Sequence, residues 1–145
     1  MGNRCCRRKK YQTLKNERER ALEELKREVE EAENDAKRLD ALARLGSTYH
    51  DQGKFQEAIQ FHKEVLEIAK RVKNEREEAR ANLNLGNAYR SRGDFKYAFD
   101  KHEEARKIAE RNELNDEKID AYGDLSECFS EKARVTLHLD RKSVV

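Results

Sequence analysis

A shift of 40 residues lays this chain on itself: Ala41, Leu45, Gly46, Tyr49 and Gly53 fall on Ala81, Leu85, Gly86, Tyr89 and Gly93. The register continues without a gap, since Phe55, Ala58, His62, Glu64, Ile68, Ala69 and Arg71 fall on Phe95, Ala98, His102, Glu104, Ile108, Ala109 and Arg111. Repetition at such a period marks units too small to bury their own apolar faces, which stack on their neighbours into an elongated array. A third copy opens with Ala121, Leu125 and Phe129, but Ser126 and Ala133 stand where the glycines should be. It reads as a degenerate, truncated end.

Within one copy the apolar spacing is helical. Leu42, Leu45 and Tyr49 form one stripe, and Ala58, Phe61, Val65, Ile68 and Ala69 form another, so each repeat holds two amphipathic helices. Gly46 and Gly86 leave room for a neighbouring helix to come close. Gly53 and Gly93 fall where the first helix has to stop and turn, before Phe55 and Phe95 enter the second. Proline is absent, and Ala, Glu, Lys, Arg and Leu dominate. The expected fold is all-α, an α-solenoid of helix pairs.

These residues resemble the tetratricopeptide repeat, which shows Leu-Gly, then Tyr three residues on, then Ala nine further, as in Leu45-Gly46, Tyr49, Ala58 and Leu85-Gly86, Tyr89, Ala98. The period is longer than the commoner one, with the extra residues falling in the charged stretches Lys70 to Glu78 and Glu110 to Lys118. Long repeats of this kind, with Leu85-Gly86-Asn87-Ala88-Tyr89 before Gly93-Asp94-Phe95, are similar to those of the LGN/Pins group of cell-polarity adaptors. The resemblance covers about residues 40 to 138 and implies a protein-binding adaptor. It does not extend to the short Gα-binding motifs of that group, which this chain lacks.

The resemblance also implies a concave groove lined by the first helix of each pair. Its candidates are Asp40, Ala43, Ser47, His50 and Asp51, then Arg80, Leu83, Asn87, Arg90 and Ser91, then Asp120, Gly123, Glu127, Ser130 and Glu131. Such a groove is basic and amide-bearing at its centre and acidic at its C-terminal end. Ala43, Ser47 and Asp124 stand where a clamp for a peptide's C-terminal carboxylate would use cationic or amide groups. Asn87, as an amide fork for peptide backbone, and Arg90, as a partner for peptide carboxylates, are the leading anchors, with Leu83, Arg80, His50 and Ser47 beside them.

Upstream, Leu22, Leu25, Val29, Ala32, Ala36, Leu39 and Ala43 step by three and four along a charged helix expected over residues 14–39. The repeat register sets Leu22, Leu25 and Val29 where His62, Val65 and Ala69 stand, so this reads as an orphan second helix capping the first repeat. A homodimeric coiled coil, acting as a structural spacer, is the rival reading. Its seam would contain three alanines.

Other chemistry finds little support in the residues. His102-Glu103-Glu104-Ala105-Arg106 has arginine where a zinc-protease helix needs its second histidine, and His62 and His102 read as packing residues of the repeat. Cys128 aligns with Thr48 and Ala88 as a small core side chain. No phosphate loop or nucleophile elbow occurs, so neither enzyme activity nor a metal or other cofactor is expected. Cysteines at 5, 6 and 128 form no disulfide or zinc pattern and suit a reducing, cytosolic setting.

The charge is placed unevenly. Of 32 basic residues, Arg4, Arg7, Arg8, Lys9 and Lys10 crowd the first ten positions, leaving 27 against 30 acidic residues. The head suits anionic membrane lipid, or nucleic acid as a less favoured alternative, because it lacks the interleaved aromatics of a nucleic-acid site. Met1-Gly2-Asn3-Arg4-Cys5-Cys6 would expose Gly2 for myristoylation with Cys5 and Cys6 nearby for palmitoylation, although Cys6 replaces the usual Ser or Thr. One acyl chain binds only marginally, and a second chain or a basic patch completes an anchor at the inner face of the plasma membrane. Ser143-Val144-Val145 fits the minimal carboxyl-terminal ligand of a PDZ domain. The expected organisation is a basic tail over 1–13, a capping helix over 14–39, repeats over 40–139 and a tail over 140–145.

Overall fold

The computed structural model describes the backbone of residues 3–143 and the side chains of residues 6–134 other than Ile119 and Lys132. Gly2 and the final Val144 and Val145 lie outside the described residues. Among these there are six helices: α1 Asn3–Glu30, α2 Asp35–Asp51, α3 Phe55–Arg71, α4 Glu75–Arg92, α5 Phe95–Arg111 and α6 Asn115–Ser143. Helices α2 and α3 form the first pair, α4 and α5 the second, and α6 is the first member of a third. Each helix packs on the next in chain order, and α4 also touches α6.

The glycines at the turns act as their positions require. Gly53 and Gly93 have φ of 75° and 92°, the left-handed region that an L side chain avoids. There Gly53 N–H donates to His50 O and Gly93 N–H to Arg90 O, each at 2.9 Å, satisfying carbonyls at the end of α2 and α4. Phe55 and Phe95 begin the next helices. At the equivalent position of the third copy stands Ala133, and α6 runs straight on. The extra residues of the long period mostly lengthen helices: only Val72 to Asn74 separate α3 from α4.

The other pair of glycines meets histidine. A Cβ on Gly46 would lie 2.7 Å from the His62 ring, and one on Gly86 would lie 2.4 Å from the His102 ring. Real Cβ contacts do not come so close, so each imidazole lies directly against the backbone of the facing helix. Both histidines are buried. Beside them Tyr49 stacks on Phe61 at 5.2 Å and Tyr89 on Tyr97 at 5.4 Å. The predicted stripes are buried apart from Phe61, which is half-buried, and Ile59 and Leu66 join them because α3 packs on α4 as well as α2.

The helix expected over residues 14–39 is two helices. The chain leaves the helical path after Glu30 and restarts at Asp35, where the Asn34 side chain accepts from Lys37 N–H at 3.0 Å. Asparagine outcompetes the helix here because its side chain supplies the acceptor that a first-turn N–H lacks. The heptad stripe is thereby divided, Leu22, Leu25 and Val29 on α1 and Ala36, Leu39 and Ala43 on α2, and the two segments fold against each other. A continuous coiled-coil spacer over 14–39 does not form. Leu22 and Leu25 of α1 enter the same core as Leu39, Leu42 and Leu45, and Arg44 of α2 pairs with Glu28 at 2.7 Å.

Nor is the segment 3–13 a separate tail in backbone terms, because α1 begins at Asn3. Among the residues of α1 whose side chains are described, 6–21 are exposed, Tyr11 and Leu14 included.

Burial of a leucine contributes roughly 1.5–3 kcal/mol, so a chain beginning at residue 32 is expected to lose about 4 kcal/mol with Leu22 and Leu25. Urea unfolding followed by circular dichroism measures this. An unchanged midpoint would mean that α1 does not cap the array.

Candidate partner-binding groove

Because the first helix of each unit faces the same side, α2, α4 and α6 together wall a concave groove of about 890 Å³. The α2 wall consists of Ala36, Leu39, Asp40 and Ala43, and the α4 wall runs from Asn74 and Glu77 through Arg80, Leu83, Asn84 and Asn87. Helix α6 closes it with Asp120, Gly123, Asp124 and Glu127. The floor is apolar and small, and the rim carries amides and charges.

Of the six leading candidates, Arg80, Leu83 and Asn87 line this groove. Ser47, His50 and Arg90 do not. The His50 ring nitrogen Nε2 lies 2.9 Å from Ser91 Oγ, which ties α2 to α4, and the ring is tilted against Phe55 at 5.3 Å. Arg90 donates to the Glu127 carboxylate and, at 3.3 Å, to Asn87 Oδ1. It thus ties α4 to α6 and is not a free guanidinium awaiting a peptide carboxylate. Ser47 is exposed beyond the groove.

Arg80 is similarly engaged. It donates to Glu77 at 3.4 Å and lies 3.9 Å from Glu117, a buried carboxylate that Arg76 also approaches at 3.7 Å. A carboxylate taken out of water needs a cation nearby, and these two guanidinia supply one from α4 to the first turn of α6. The expected basic centre of the groove is therefore neutralised from within.

At the C-terminal wall the decisive group is His102. Its Nδ1 is 3.5 Å from Asp124 Oδ2, longer than a normal hydrogen bond. Burial, helped by the charge of Arg90, lowers its pKa to about 4, so it is neutral at pH 7 and forms no ion pair with Asp124. Burial also raises the Asp124 carboxyl above its usual value, against the lowering effect of Arg90. Cys128 is buried in the core as a small side chain, and burial pushes its thiol up.

Asn74, Glu77, Asn84, Ala36 and Leu39 were not anticipated as groove residues. A repeat counted from residue 40 omits the first turns of α2 and α4, which begin at Asp35 and Glu75, and this accounts for all of them but Asn84, farther along α4. The signal was present in Asn34 and Asn74, 40 residues apart, each capping the helix that follows.

A tetratricopeptide repeat family model matches residues 37–111, just over half of the chain. This chain belongs to the tetratricopeptide repeat family. No curated protein matches it. Among solved structures it is similar to the tetratricopeptide domain of Arabidopsis FLU, at 21% identity and a TM-score of 0.66, covering 77% of this chain and all of that one. At that identity the likeness concerns the fold. The expected all-α solenoid is thereby established, and with it the general character of a protein-interaction module.

The histidines make a pH prediction. His62, lowered to about 4 chiefly by burial, and His102, likewise lowered, take up protons in the unfolded chain from 6.5 downward but resist them when folded. Stability is therefore complete above pH 6.5 and is lost as the pH falls toward 4, by roughly 3 kcal/mol for each histidine. Urea midpoints measured between pH 7 and 4.5 should decline. A flat profile would place the imidazoles in water.

Proposed function

We propose that the chain is an adaptor that holds a peptide segment of a partner protein in the groove of α2, α4 and α6. The observation that carries this is the groove itself: an open concavity whose α4 wall presents Asn84 and Asn87 above the apolar Leu83. Amides can pair with both N–H and C=O of an extended peptide, while Leu39, Ala43 and Leu83 accept its apolar side chains.

The second part of the proposal places this adaptor at the cytoplasmic face of a membrane through Gly2, Cys5, Cys6 and the basic residues that follow. It is supported by the course of α1, whose residues 6–21 stand clear of the repeats with Cys6, Arg7, Arg8, Lys9 and Lys10 exposed. A helix rises about 1.5 Å per residue, so the stretch from Asn3 to Arg20 would hold the groove about 25 Å from the surface it is anchored to. No helix among the described residues is long and apolar enough to cross a membrane. Attachment by acyl chains and charge is the mode this proposal requires.

Substituting Asn84→Ala with Asn87→Ala should weaken a groove-bound partner about tenfold, the equivalent of one or two lost hydrogen bonds, with little change in melting. A photo-crosslinker at Asn87 should capture that partner, and one at Glu64 on the outer helix should not. Equal capture from both sites would remove the groove from the account. For the anchor, Gly2→Ala should shift a C-terminally tagged chain from the membrane to the soluble fraction.

A further inference from the structure

We infer that the peptide segment this groove takes is cationic, carrying lysine or arginine. The inference rests on the groove reading above and specifies its partner. The groove is lined by five carboxylates and one guanidinium, and that guanidinium, Arg80, is already answered by Glu77 and Glu117. The nearest further cations are also spent. Arg90 is engaged by Glu127, and Arg44, 3.8 Å from Asp40, makes its closer contact to Glu28 at 2.7 Å.

What remains is an excess of negative charge on α6, only partly offset at Asp124 by the nearby Arg90 and by a hydrogen bond from Asn87. Asp120 has no ion-pair partner among the described residues, and Asp124 faces a histidine that is neutral at pH 7. One turn apart on a helix, their Cβ atoms stand about 5–6 Å from each other, close enough for one ammonium or guanidinium to reach both carboxylates. Between them Gly123 lines the groove, and a Cβ built on it would meet nothing within 4 Å. The space above this part of α6 is open, and the apolar floor at Leu39, Ala43 and Leu83 can take the methylene stem of a long cationic side chain.

Alternatives on the same surface fare worse. A peptide carboxylate would have to displace Glu127 from Arg90 or Glu77 from Arg80, while entering a field of like charge. The family resemblance suggested an acidic ligand anchored on Arg90. The closed ion pair of Arg90 with Glu127 removes the free cation that such a ligand needs.

The test uses the full chain and two immobilised pools of 12-residue peptides with the same apolar positions, one carrying Lys and Arg at its variable positions and the other Asp and Glu. The basic pool should be retained at least about tenfold better, and retention should fall with added salt. Asp120→Asn with Asp124→Asn should abolish most of that preference. The same charge change on the outer helix, Glu64→Gln with Glu67→Gln, should leave it unaltered, excluding adhesion to any acidic surface.

Preference for the acidic pool, lost on Asn87→Ala, would overturn the cationic assignment while leaving the groove reading standing. Failure to retain either pool, combined with equal crosslinking from Asn87 and Glu64, would overturn both. Salt-sensitive self-association abolished by neutralising Arg7, Arg8, Lys9 and Lys10, with no retention of free basic peptide, would give the groove to the basic helix of a second copy and overturn the partner assignment.

Discussion

The imidazole of one helix lying on a bare glycine of its partner sets the geometry of every pair in this protein. His62 on Gly46 and His102 on Gly86 bring the two backbones closer than any side chain at those glycines would permit. The contact has a cost, because His62 Nδ1 and both ring nitrogens of His102 lack hydrogen-bond partners, and a buried orphan polar atom typically costs 1–3 kcal/mol. The surrounding core offsets it. Ala58, Ala69, Ala98, Ala105 and Ala109 are fully buried, and such small residues allow the same close approach along the whole length of the pair.

From that spacing the groove follows. Close pairing keeps the second helices on one side, leaving α2, α4 and α6 side by side on the other, where their charges interact. Arg90 with Glu127, Arg80 with Glu117 and His50 with Ser91 join the neighbouring first helices. Most of these links are exposed enough to contribute little stability. Their larger consequence is electrostatic, since they consume the cations of the inner surface and leave Asp120 and Asp124 in excess.

Much of this was legible in the sequence. A strict 40-residue register reveals the pairs, the turning glycines and the family without any coordinates, because a repeat states its packing twice. The role of Gly46 and Gly86 as close-approach sites was legible too, but that the approaching group is His62 or His102 was not, since it depends on the rotation of one helix against another. The break at Asn34 was overlooked because the apolar stripe steps smoothly across it. Periodicity cannot distinguish one helix from two that fold back with the stripe inside. Arg90 looked like a binding residue because ion pairs between helices 37 residues apart leave no trace in local spacing. The lipidation reading of Gly2, Cys5 and Cys6 and the PDZ reading of the terminal valines rest on short motifs alone, and the fold bears on neither.

A double-mutant cycle on Gly86 and His102 addresses the central contact. Alanine is the better helix former by about 1 kcal/mol, yet Gly86→Ala should destabilise the protein by about 2 kcal/mol because the new methyl meets a ring that cannot withdraw. In a His102→Ala background, where the ring is gone, the same Gly86→Ala change should be neutral or stabilising by up to about 1 kcal/mol. That corresponds to a coupling of at least about 2 kcal/mol between the two positions. Additive effects, within about 0.5 kcal/mol, would contradict the view that histidine on glycine fixes the pairing of the helices.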